Sequence, residues 1–228
     1  EKSGWGIFYN TVVGSPGRVN FTLAHEFGHY LLHREAYPNG FQCNQQDIVR
    51  WDSDYRVLER EANTFASGLL MPLDDFRRQI EPGSDIDLDL ISHCADRYCV
   101  SLIASVLRWL GYTEKRAILV VSRDGFILWA RSSKRAFRSG AYIKTSGAPV
   151  ELPVMSAARS SSSDLAERRG AKLPPSVWFN EDSREMVVRS EQYDFTISLV
   201  LLPNHGPSRW DDDEPVEEDT FTRMTKRN

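Results

Sequence analysis

His25-Glu26-Phe27-Gly28-His29 fits H-E-x-x-H, two imidazoles four residues apart with a carboxylate between them. On a helix, residues at that spacing are neighbours about 6 Å apart, so both rings can reach one Zn2+ at about 2.1 Å each. Glu26 then flanks the metal without binding it, placed to take a proton from water that the metal acidifies and to return it to a leaving amine. The motif leaves the third ligand open. His33 lies on the same face, but eight helical residues rise about 12 Å, whereas two ligands of one zinc lie about 3 to 4 Å apart. It reads instead as a helix-end residue that caps carbonyls or lines the cleft. The longer pattern H-E-x-x-H-x-x-G-x-x-H fails because position 35 is Glu35. A remote carboxylate is the better third ligand, and Glu59 and Glu61 are the candidates.

These residues need two helices to hold them. From Phe21 to His33, the residues Ala24, Phe27, Gly28, Leu31 and Leu32 recur at i, i+3, i+4, i+7 and i+8, the stripe of an amphipathic helix. A second stripe, Leu58, Ala62, Phe65, Ala66, Leu69 and Leu70, ends at Pro72. Between them, residues 37–54 are polar and turn-rich and read as a long surface loop. Ahead of the first helix, Trp5 to Tyr9 reads as a short strand leading into the turn Gly14-Ser15-Pro16-Gly17.

Past the turn Glu81-Pro82-Gly83-Ser84, residues 86–110 read as two helices broken near Cys99-Val100-Ser101 and capped by Gly111, a pattern that resembles a helix-turn-helix. Its second helix carries Arg108 as its one basic residue, poor equipment for the phosphate contacts that dominate DNA affinity. From Ala117 the period shortens to strand-like runs, AILVV, GFILWA, EMVVRS and FTISLVLL, separated by turn signals. Residues 156–164 read as a flexible loop within this module. Residues 211–219 hold seven acids and no base, the composition of a disordered tail. The whole is α+β.

Composition narrows the function. A chain of 228 residues, 41% hydrophobic and 26% charged, can build a core without disulfides or metal, so a metal here would be functional. Its net charge of −4 gives no global attraction to nucleic acid or an anionic membrane. Arg131 to Lys144 holds five basic residues and no acid, with Phe137 and Tyr142 among them. A solvated face is the expected role of this run, and Trp178 and Phe179 are expected in a core rather than in a stacking platform. Cys43, Cys94 and Cys99 are odd in number and lack C-x-x-C spacing, which argues against a disulfide framework and points to a reducing cytoplasm. There is no stretch of about 18 apolar residues that could span a membrane, and no basic, apolar leader is visible from Glu1.

HEFGHYLLH, followed about thirty residues later by EREANTFASGLLMP, resembles the ImmA/IrrE family of zinc metallo-endopeptidases over about residues 5–80. The run Glu59-x-x-x-Asn63-x-Phe65-Ala66 is similar to the Glu-x-x-x-Asp-x-Phe-Gly helix of related glutamate-ligand zinc proteases. That resemblance puts Glu59 on the zinc beside His25 and His29, with Asn63 supporting a histidine. Asn63 departs from the pattern by being an amide, which weakens the carboxylate–histidine support but keeps its hydrogen bond. Glu61 is the runner-up, its alternative role being a surface ion pair with a neighbouring Arg.

The resemblance implies a zincin-like protease domain over residues 1–83, a helix-turn-helix-like segment at 84–114 and a β-rich, GAF-like sensory module at 115–204, and the acidic composition sets off a disordered tail at 205–228. It implies Zn2+ as cofactor and a helix-turn-helix transcriptional repressor as protein substrate, cleaved in response to stress or mobile-element signals. Neither nucleic acid nor a membrane is an expected partner. The competing expectation is a regulatory binding protein whose zinc is structural or vestigial. A structural site closes with four ligands and a catalytic one keeps three and an open position, so three candidate ligands beside an intact Glu26 favour the enzyme.

Overall fold

The computed structural model describes residues 6, 7, 9, 15–37, 53–160, 168–190 and 194–204. Helix α1 (Pro16–His33) starts a turn earlier than its apolar stripe, because Pro16 at its first position has its φ preset for a helix and lacks an N–H that would be unpaired there anyway. Helix α2 (Ser53–Leu70) likewise extends ahead of its stripe and stops before Met71 and Pro72. The two helices pack closely: Ala24, Gly28, Ala62 and Ala66 are buried, and small residues let the backbones approach.

Helix α3 (Leu73–Gln79) carries Asp74 and Asp75 in its first turn and Arg77 and Arg78 in its last, matching its dipole. Helix α4 (Leu88–Arg97) is capped by Asp87, whose carboxylate accepts from the Leu90 amide at 2.8 Å. Helix α5 (Leu102–Leu110) is capped by Ser101, which accepts from the Ala104 amide at 3.2 Å. The chain bends by 108° between α4 and α5, with Cys99 at φ +48° in the break.

The turn between α4 and α5 is where α1 docks. A Cβ on Gly17 would stand 2.5 Å from the Val100 carbonyl carbon, so only glycine fits there, and the Asn20 amide donates to the Cys99 carbonyl at 3.1 Å. These contacts fix the start of α1 on the rest of the fold.

The strands β1 (Arg116–Arg123), β2 (Phe126–Ser132), β3 (Val150–Glu151), β4 (Ala171–Leu173), β5 (Ser183–Ser190) and β6 (Phe195–Leu202) form one sheet in the order β3-β2-β1-β6-β5-β4, and every pairing is antiparallel. Helices and one antiparallel sheet make the fold α+β. Asp124 and Gly125, both at positive φ, turn β1 into β2 in the manner of a tight hairpin. Central β1 is buried on both faces, which is why its sequence is a continuous apolar run rather than an alternating one. Ala117, Leu119 and Val121 face a core shared with Met71, Phe76, Ile91, Val106, Trp109 and Leu199. Ile118 and Val120 face a second core with Ile127, Ala136, Ala141, Leu152 and Val200, against which Trp178 and Phe179 pack. The first core runs without a break from α3 through α5 into the sheet.

Short helix α6 (Lys134–Arg138) lies in the basic run, with Ala136 buried and Arg131, Lys134, Arg135, Arg138 and Lys144 exposed. No single helix among the described residues is long and apolar enough to cross a membrane; α4 and α5 together carry enough apolar residues, but Ile91, Cys94, Val106 and Trp109 are spent on the first core. Gly6, Ile7 and Tyr9 belong to no strand, since the sheet offers them no ladder, while Trp5 and Phe8 lie outside the described residues. Also outside them are 38–52 of the expected loop with Cys43, 161–164 of the flexible loop, and the acidic tail. Residues 157–159 of that loop form a single 3-10 turn.

Candidate metal centre

Helix α1 carries His25 and His29 one turn apart, and α2, packed across it, brings Glu59 to the same point. One ligand atom from each of the three lies within 4.8 Å of the others. His29 Nε2 is 3.0 Å from His25 Nε2 and 3.1 Å from Glu59 Oε1, and His25 Nε2 is 3.4 Å from Glu59 Oε2. Donors around a tetrahedral zinc at 2.0 to 2.1 Å stand about 3.3 Å from one another, so this donor set fits such an ion. Two neutral nitrogens and a carboxylate oxygen are also chemistry that suits zinc. Among the described residues, no fourth His, Cys, Asp or Glu joins the group.

The outward nitrogens are held as well. His25 Nδ1 lies 3.1 Å from Asn63 Oδ1; an amide oxygen can only accept, so Nδ1 carries a proton, and Nε2 is the atom that would bind a metal. His29 Nδ1 lies 2.9 Å from His33 Nδ1, and His33 Nε2 lies 3.0 Å from Glu61 Oε2. His29 and His33 are buried, Glu59 is partly exposed, and half of the Glu61 side chain is in solvent.

The electrostatics follow from this packing. Burial pushes the Glu59 carboxyl up, but hydrogen bonds and charge from His25 and His29 outweigh it and hold the group well below the usual carboxylate range. Burial alone would lower His25; its hydrogen bond to Glu59, the charges of Glu59 and Glu26, and Asn63 reverse the sign and raise it. Glu26 is half-buried, close enough for its charge to act on the His25 ring.

His25, His29 and Glu59 are thus brought together, Asn63 supports His25, and Glu26 stands next to them. Glu61 does not join the group, and its partner is His33 rather than a neighbouring Arg. His33 stands apart from the three donors, as the helix rise requires, but its ring does more than line a cleft: it is wedged between His29 and Glu61. The signal for that contact was present in the sequence as a second i, i+4 histidine step, His29 to His33, which pure ligand geometry discards.

The family model Peptidase_M78, described as the IrrE N-terminal-like domain, matches residues 2–110, just under half of the chain and all of α1 to α5. No curated protein matches the chain.

Proposed function

We propose, from the match of residues 2–110 to the Peptidase_M78 family model, that this chain is a zinc-dependent endopeptidase with Glu26 as its general base. The observation that carries the reading is the convergence of His25, His29 and Glu59 within 4.8 Å, with Glu26 next along the helix from His25. His25, His29 and Glu59 would hold the ion. When bound, Zn2+ would supply a Lewis acid that polarises the scissile carbonyl and lowers the pKa of water toward about 7. Asn63 orients His25, and Glu26 takes the proton released as water attacks and returns it to the leaving amine. The free thiols Cys94 and Cys99 are compatible with work in a reducing cytoplasm.

The proposed substrate is a protein, a helix-turn-helix transcriptional repressor, as the resemblance to ImmA/IrrE peptidases implies. Nucleic acid is not a proposed partner, because the apolar face of α5 is committed to the core and Arg108 is its one basic residue. For the six-stranded antiparallel sheet we propose a GAF-like sensory role, receiving the stress or mobile-element signal. A structural zinc would call for a fourth protein ligand, and the described residues supply three. The test is incubation of the zinc-loaded chain with candidate repressors. Discrete fragments that a chelator suppresses are expected; intact substrates throughout would count against the repressor assignment.

A further inference from the structure

His33 and Glu61 have no place in a three-ligand site, yet both are tied to it. Three contacts form a line from the donor cluster to solvent: His29 Nε2 in the cluster, His29 Nδ1 to His33 Nδ1 at 2.9 Å, and His33 Nε2 to Glu61 Oε2 at 3.0 Å. The two rings are buried and the carboxylate at the end is half exposed.

A ligand histidine must offer an unprotonated Nε2, so its one proton sits on Nδ1. His29 Nδ1–H then has to donate to His33 Nδ1, which must carry a lone pair. His33 in turn holds its proton on Nε2 and donates it to Glu61, which only accepts. With a metal on His29 Nε2, a single proton arrangement satisfies both hydrogen bonds of this line. We propose that His33 and Glu61 are positioning residues, a relay that locks His29 with Nε2 turned toward a divalent cation. The inference rests on the metal reading above.

The pairing gives the two ligand rings different supports. His25 leans on a neutral amide, Asn63, whereas His29 leans on an imidazole backed by a carboxylate. A carboxylate-backed acceptor makes the ligand ring a better electron donor than an amide does, and partners of this kind are typically worth 10- to 100-fold in metal affinity. The support that Asn63 cannot give to His25 as a carboxylate is therefore supplied to the neighbouring ring by a different route. The relay also gives the i+8 histidine a function that needs no direct bond to metal, one turn beyond His29 along α1.

The test compares zinc affinity, by chelator competition at neutral pH, for the full chain and for His33→Leu, His33→Gln and Glu61→Ala. Leucine fills space but offers no acceptor; glutamine returns a carbonyl oxygen. His33→Leu should lose about 10- to 100-fold in affinity, His33→Gln should recover most of it, and Glu61→Ala should lose several-fold. Unchanged affinity in a folded His33→Leu overturns the relay. Should that variant fail to fold, Glu61→Ala at its exposed position and the native chain decide. In histidine-nitrogen NMR of the zinc-loaded native protein, His29 should be protonated on Nδ1 and His33 on Nε2; a proton on His33 Nδ1 overturns the proposal. A native chain that binds no zinc overturns the metal reading and the relay with it. Tight zinc binding that is indifferent to both positions overturns the relay alone.

Discussion

Gly28 of α1 lies against Ala62 of α2 so closely that a Cβ on Gly28 would stand 3.3 Å from both the Cα and the carbonyl oxygen of Ala62, and 3.0 Å from Phe65 Cδ1. This approach brings Glu59 within reach of His25 and His29, which lie three residues before and one after Gly28 along α1. Gly28→Val should force the helices apart, cost about 1 to 3 kcal/mol by overpacking, and lower zinc affinity by tenfold or more. Thermal unfolding and chelator competition check this. Native zinc affinity in the valine variant would show that the close approach does not set the site.

Glu59→Gln should weaken zinc binding far more than Glu61→Gln. The first removes the anionic donor 3.1 and 3.4 Å from the two Nε2 atoms, whereas the second keeps an oxygen able to accept from His33. Dissociation constants of the two variants, measured side by side, test the order; the reverse order would hand the ligand role to Glu61.

In the metal-free chain, Glu59 and His25 stabilise the fold over a window of pH. The depressed carboxyl of Glu59 contributes stability that is present above its unfolded value of 4.5 and is lost as pH falls through its folded value. The raised imidazole of His25 contributes stability that is present below its unfolded value of 6.5 and is lost as pH rises through its folded value. The Tm difference between the metal-free native chain and Glu59→Gln should therefore be largest between about pH 4.5 and 6.5 and shrink on both sides. A difference that grows steadily toward high pH would contradict the pairing.

A fragment of residues 1–114 should not fold cooperatively. Val106 and Trp109 of α5 and Ile91 of α4 are fully buried in a core completed by Leu119, Met186 and Leu199 of the sheet. Removing the strands exposes several large side chains at roughly 1.5 to 3 kcal/mol each, comparable to the whole stability of a domain. Circular dichroism and denaturant titration would show a broad transition in place of a sharp one. A sharp transition with zinc retained would establish the peptidase part as self-sufficient.

The two helices were legible from their periodicity, and the HExxH spacing is a local property of one helix, but of the expected apolar stripes only Ala24, Gly28, Ala62 and Ala66 are buried, while Phe27, Leu31, Leu32 and Leu69 are exposed. Glu59 was singled out over Glu61 only by the resemblance of its run with Asn63 and Phe65 to the helix of glutamate-ligand zinc proteases. The contact of Glu61 with His33 was not, because it depends on how α1 and α2 cross, which no spacing within one helix encodes. The start of α1 was missed because residues 16–20 add little to the apolar stripe, while Pro16 acts through backbone geometry. The strands were visible as apolar runs, but their order was not: β1 lies between β2 and β6, and its pairing with β6 joins segments about eighty residues apart. The two helices α4 and α5 and the break between them were visible too, whereas the burial of α5 against the sheet and the seating of Gly17 on their turn are tertiary facts.

The central claim is that Glu26 moves the proton while His25, His29 and Glu59 hold the metal, and Glu26→Gln tests it most directly. Zinc content and repressor cleavage are measured together on the native chain and on this variant. Both should carry one zinc per chain, and only the native protein should cut, because a neutral amide cannot accept the proton released by attacking water. Cleavage by the zinc-loaded Glu26→Gln chain at the native rate would contradict the claim.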